Sequence, residues 1–189
     1  MSRTYFFPDN TVLINFTLLD RQDLVEWFTA KGTRLWTTSV YYECDKSAEI
    51  KGQEAMVRWR RVFGKPLSPE KLDFIAISMI VDQMRLPGET APRKHMGEAE
   101  TIAIAENRYP GSVFLTDDHD AARVADARHI QSVSTTKIIA FAEVKAEITH
   151  DQARGYLAEL LNRGRVLGGS PRPTEYDAYV RTLKTRNPA

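Results

Sequence analysis

Apolar positions along the chain switch repeatedly between short continuous runs and helix-like spacing. Tyr5-Phe6-Phe7 is an apolar run that stops at Pro8-Asp9, which predicts a buried strand ending at an acid. Thr11 to Leu19 is apolar enough for a first helix. Asp20 to Ala30 predicts a second, with Leu24, Val25 and Phe28 on one side and Lys31-Gly32 as its stop. Leu35-Trp36-Thr37 reads as the second strand, and Ser39 as the N-cap of a helix carrying Tyr42 and Glu43. From Ala48 to Arg85 the pattern is helical, interrupted by Gly64-Lys65-Pro66. Ser68-Pro69-Glu70 predicts a helix start with proline in the first turn, and Leu72, Ile75, Ala76 and Met79 predict its apolar stripe.

Pro87, Gly88 and Pro92 make Leu86 to Lys94 an expected loop. Gly97 opens a helix of small residues that ends at Tyr109-Pro110-Gly111. Val113 to Thr116 is the clearest strand, and it runs into Asp117-Asp118. Ala121 to Arg128 predicts a helix, Ile130 to Val133 a short strand, and Thr135 to Val144 another helix. Asp151 to Arg165 predicts an amphipathic helix with Tyr156, Leu157, Leu160 and Leu161, before a break over Gly168 to Pro173 and a tail that turns basic. Strands alternating with helices imply an α/β fold, a three-layer α/β/α sandwich on a parallel sheet, with a C-terminal helical extension. Sites in such sheets form at the carboxyl ends of strands.

The length of 189 residues suits one domain plus an extension. The net charge of +1 limits any nucleic-acid surface to a local patch. The single cysteine, Cys44, excludes an intrachain disulfide or a cysteine zinc cluster and reads as a small buried residue. The sequence shows neither a signal peptide nor an apolar run that would span a bilayer, so a cytoplasmic protein is expected. His95, His119, His129 and His150 are dispersed without zinc spacing, and His119 stands out for lying between two acids. A phosphate-binding glycine loop and a serine nucleophile elbow are both absent.

Asp9, Glu43, Glu98, Glu100 and Asp118, with Asp120 behind them, sit at expected strand ends or helix starts and border apolar sequence. Carboxylates gathered there repel one another, and a bound divalent cation relieves that repulsion. Magnesium, or manganese in the same oxygen-ligand site, suits such a set.

The segments carrying these acids resemble the PIN-domain nuclease family. Phe7-Pro8-Asp9-Asn10-Thr11-Val12-Leu13-Ile14 is similar to its opening strand, and Thr37 to Glu43 to the segment of its second acid. Gly97-Glu98-Ala99-Glu100 is similar to its alanine-rich third segment, and Leu115 to Asp120 to the fourth. The last two also resemble flap endonucleases. The resemblance runs from Tyr5 to about Val144. It implies a single-stranded RNA endonuclease, often the toxin of a VapC-type toxin–antitoxin pair, with RNA as substrate and a cognate antitoxin as partner. Its metal ligands would be Asp9, Glu43, Glu98 and Asp118, holding one or two ions that activate water. Asn10 and Thr11 would orient Asp9 or a water, and Thr116 a carboxylate or water. Asp117 reads as a capping acid or one that supports a ligand. Glu100 is a second ligand or supports one, since residues two apart on a helix diverge. Asp120 is a second ligand or the N-cap of the helix that follows. The expected division is a nuclease unit over 1–148 and an extension with a basic tail over 149–189.

Arg58, Arg60, Arg61 and Lys65 cluster around Trp59, and Arg163, Arg165, Arg172, Arg181, Lys184 and Arg186 make the C-terminal end basic. Either set could track an RNA backbone or form a solvated face. The tail could also pack on the domain, make a homodimer contact or bind an antitoxin. Two other readings remain: an inactive PIN-like binding module, and a receiver-like phospho-acceptor domain with Asp9 and Asp118 on magnesium. The latter needs an acceptor aspartate on a central strand and a following lysine, which the sequence does not place convincingly.

Overall fold

The computed structural model describes residues 3–85 and 95–186. The loop expected over Leu86 to Lys94 lies outside the described residues. Four strands, β1 (Tyr5–Pro8), β2 (Thr33–Arg34), β3 (Ser112–Leu115) and β4 (Gln131–Val133), form one parallel sheet in the order β2-β1-β3-β4. β1 pairs Phe6 with Val113 and Phe7 with Phe114, so the two central strands end side by side.

Side chains alternate across a strand, and this alternation builds the three layers. Phe6, Val113, Leu115 and Val133 join a core with α1 (Asn10–Leu18), α2 (Gln22–Phe28), α3 (Thr38–Ala48), α8 (Thr135–Val144), α9 (His150–Asn162) and α10 (Tyr176–Arg186). Phe7 and Phe114 join a second core with α5 (Lys71–Met84), α6 (Met96–Arg108) and α7 (His119–Ala127). A 3-10 turn (Glu54–Arg58) and α4 (Trp59–Phe63) complete the first core, in which Trp36 and Trp59 are fully buried. The expected α/β/α architecture is therefore present, and Cys44 is buried with its thiol donating to the Met56 carbonyl at 3.4 Å.

Several local expectations shift. The second strand is Thr33–Arg34 rather than Leu35 to Thr37; Thr37 instead caps α3, its hydroxyl accepting from Val40 N, so Ser39 is not the cap. α5 starts at Lys71, not in the Ser68-Pro69 turn. Glu70 caps it, with Asp73 accepting from Glu70 N at 2.8 Å. Three of the four positions expected in the buried stripe of α5, Leu72, Ile75 and Met79, are exposed, with Phe74 beside them, while Ala76 is partly buried against the second core. The inward face is Asp73, Ile77, Ile80, Val81 and Met84. The physical reason lies in Asp73, which accepts from Asn107 at 2.9 Å and lies 3.5 Å from Arg108. That polar tie to α6 fixes the rotation of the helix.

Candidate metal centre

β1 and β3 run parallel and adjacent, so the residues that follow them share one edge of the sheet. Asp9 N donates to Leu115 O at 2.7 Å, and Asp9 then leads into α1. Thr116 links the two strand ends: its hydroxyl reaches Asp9 Oδ2 at 3.5 Å and accepts from Asp118 N at 3.0 Å. The Thr11 hydroxyl donates to Asp9 Oδ2. The Asn10 side-chain amide donates to Ser47 Oγ at 3.0 Å, while the backbone of Asn10, like that of Thr11, hydrogen-bonds the Asp9 carboxylate.

Glu98 enters from the first turn of α6, and Glu43 from α3. The Glu43 carboxylate lies over Gly97, where a Cβ would come within 2.8 Å of Oε1. Ligand atoms of His95, Glu98 and Asp118 lie within 4.8 Å of one another. Burial first, and then the charges of Asp9, Glu43 and Asp118, push the Glu98 carboxyl up to about 8. Burial, Asp9 and Glu100 push Glu43 up to about 7, against relief from Lys46. Burial raises Asp9 as well, opposed by the Thr11 hydrogen bond, with Asp118 adding repulsion. Among the described residues, neither lysine nor arginine forms an ion pair with Asp9, Glu43, Glu98 or Asp118.

The remaining acids have other engagements. Glu100 is buried, and its two oxygens accept from Thr38 Oγ1 at 2.8 Å, Ser39 N at 3.1 Å and Ser39 Oγ at 2.6 Å. It therefore caps and anchors the start of α3, the helix that carries Glu43, while Glu98 two positions earlier faces the other acids. Asp117 is buried and accepts from Thr135 N at 3.0 Å, from the Thr135 hydroxyl and from Asn15 Nδ2 at 2.8 Å, which ties β3 to α8 and α1. Burial pushes its carboxyl up to about 6 in spite of those donors. Asp118, not Asp120, is the N-cap of α7, accepting from Ala121 N at 2.7 Å. Asp120 is half-exposed and lies 3.6 Å from Arg123.

Residues 7–170 match the family model described as a PIN domain. The chain belongs to the PIN-domain family. PIN domains are generally nucleases, and those nucleases generally use divalent metals. None of the curated proteins matches this PIN domain. Its donor set fits a divalent cation: Asp9, Glu43 and Glu98 are raised by burial first and then by neighbouring carboxylates, and among the described residues neither lysine nor arginine forms an ion pair with them. His95, Glu98 and Asp118 bring ligand atoms close enough to share one, and Asp9 and Glu43 lie within reach of the Glu98 charge.

Two groups beside the acids escape sequence reasoning. His95 adjoins Glu98 and Asp118 although no histidine spacing announces it. Asn15 is fully buried in α1, and only the fold brings it to Asp117. The basic cluster around Trp59 is largely answered by acids. Arg58 pairs with Asp20 at 3.5 Å and Arg60 with Asp45 at 2.7 Å, while Arg61 shares a cleft with Asp20, Asp23 and Glu26. Among the described residues, no helix of this PIN domain is long and apolar enough to cross a membrane.

Proposed function

We propose that this PIN domain is a metal-dependent endoribonuclease that hydrolyses phosphodiester bonds of single-stranded RNA, with Mg2+ or Mn2+ as its cofactor. One observation carries the reading: acids from β1, α3, α6 and the turn after β3 come within reach of each other's charge, burial and that charge raise Asp9, Glu43 and Glu98, and among the described residues neither lysine nor arginine forms an ion pair with them. A divalent ion in such a set supplies Lewis acidity to a phosphoryl oxygen and lowers the pKa of a coordinated water. Asp9, Glu98 and Asp118 hold the ion and Glu43 completes the set. Thr11 and Thr116 fix the Asp9 carboxylate, and Glu100 steadies α3 so that Glu43 stays over Gly97. Asp117, held by Thr135 and Asn15, fixes the turn from which Asp118 projects.

From the resemblance of the sequence segments to PIN domains we infer a cognate antitoxin as partner, and the exposed apolar face of α5 supports a protein contact, a homodimer included. Cleavage of a panel of tRNA and mRNA by wild type, Asp9→Asn and Asp118→Asn, with and without EDTA, tests the activity. Both variants are expected to lose turnover by at least about a hundredfold while remaining folded. Unchanged rates, or cleavage that persists in EDTA, would refute the reading. A protein that binds RNA equally well with and without EDTA yet never cleaves it is a binding module.

A further inference from the structure

Helix α9 ends at Asn162, and the chain reverses through Gly164, whose φ of 72° suits glycine. Gly164 N donates to Leu161 O at 2.9 Å and Arg165 N to Leu160 O at 3.0 Å, which closes the helix and turns Arg165 back toward α1. Leu167 is buried. Gly168 then lies directly on the turn after β3: a Cβ there would stand 1.8 Å from the Asp117 carbonyl oxygen, so the segment seats only as glycine. Residues from the C-terminal end of the chain thus form a wall of the acidic site.

Arg165 is the charged member of that wall nearest the acids. Its Nε donates to Asn15 Oδ1 at 2.6 Å, and Nη2 to Thr11 O at 3.4 Å. The Asn15 amide nitrogen is committed to Asp117 at 2.8 Å and to Thr135 Oγ1 at 3.2 Å, so its carbonyl is left to face the guanidinium. Asp117 and Asp9 are its charged neighbours, yet among the described residues Arg165 forms no ion pair with either. The rest of its five N–H donors have no partner among the described residues. Neutral oxygens therefore hold a half-buried cation beside repelling carboxylates. That arrangement keeps the acids available for a cation and the guanidinium available for an anion. A phosphodiester bound at a divalent ion satisfies both, and the planar fork of arginine matches its oxygens.

We propose that Arg165 contacts the phosphate of the RNA strand at the acidic site and stabilises the charge that gathers there during cleavage. This rests on the nuclease reading above. Beyond Gly169 the same segment borders an open groove of about 640 Å³ that His119, Arg123, Lys137 and Arg172 line together with Asp126 and Glu175. That groove carries the strand's neighbouring phosphates away from the site.

The test uses the full chain with a fluorescein-labelled single-stranded oligoribonucleotide of about ten nucleotides. Binding is followed over a salt series in an Asp118→Asn background, and cleavage in the otherwise wild-type protein. Arg165→Gln is expected to weaken binding about tenfold, to reduce the salt slope by about one, and to lower kcat more than it raises KM. Mn2+ affinity, read by calorimetry, should not weaken. Arg165→Lys should restore the slope but not the turnover, because an ammonium lacks the fork. An unchanged slope overturns the proposal, and so does an Arg165→Gln protein that loses only heat stability and Mn2+ affinity, the result for a mere brace of Asn15. Absence of any oligonucleotide binding overturns it too. A wild-type protein that cleaves nothing while the slope still depends on Arg165 would remove the nuclease reading and leave the phosphate contact standing.

Discussion

Gly97 has no side chain, and the Glu43 carboxylate uses the space above it. Gly97→Ala should leave the fold at least as stable, since alanine favours a helix by about 1 kcal/mol over glycine and the atom it meets is the far end of a flexible side chain. The same methyl must displace Glu43 from the acidic set, so Mn2+ affinity should fall; calorimetric titration beside a thermal melt separates the two effects. Asp9, Glu98 and Asp118 were readable as site candidates because each closes an apolar run or opens a helix. The division of labour between Glu98 and Glu100 was readable in part, from the divergence of residues two apart. What Glu100 does was not, because its partners Thr38 and Ser39 lie far away in sequence. The capping role of Asp118 rather than Asp120 needed the backbone itself.

At the scale of elements, α5 shows how a helical pattern with two apolar sides defeats periodicity. Leu72, Ile75 and Met79 repeat as well as Ile77, Ile80 and Met84 do, and the sequence offers no way to rank them. Asp73 decides the matter by its contacts with Asn107 and Arg108 of α6. Ile80→Ala should therefore cost about 2–5 kcal/mol, whereas Leu72→Ala or Met79→Ala should stay within about 0.5 kcal/mol; urea unfolding of the three variants measures both. Equal losses would mean that the outer face is covered. The short second strand escaped for a related reason. Trp36 is apolar because it packs in the core beside Phe63, not because it belongs to the sheet.

Across the whole molecule, folding brings acids from distant segments within reach of each other's charge, and stability then depends on pH. The carboxyls of Glu98 and Glu43 rise to about 8 and about 7 from an ordinary value of 4.5. The folded chain therefore binds more protons than the unfolded one across that interval. For metal-free protein, the stability these groups contribute is complete below their ordinary value and is lost as pH rises through 7 and 8. Manganese binds the deprotonated acids, so the stabilisation it adds should grow with pH over the same window. Thermal melts in EDTA and in Mn2+ at several pH values check both slopes; a flat EDTA series would contradict the burial of these acids. By itself the sequence determined the alternation of strands and helices, the layered parallel sheet and the acids that end its central strands, because hydrophobic spacing and chain order are local properties. Only the tertiary structure decided which face of α5 turns inward, that Glu100 serves α3, and that Asn15, His95 and Arg165 stand beside the acids. Those facts depend on contacts between residues far apart in the chain, which no local pattern records.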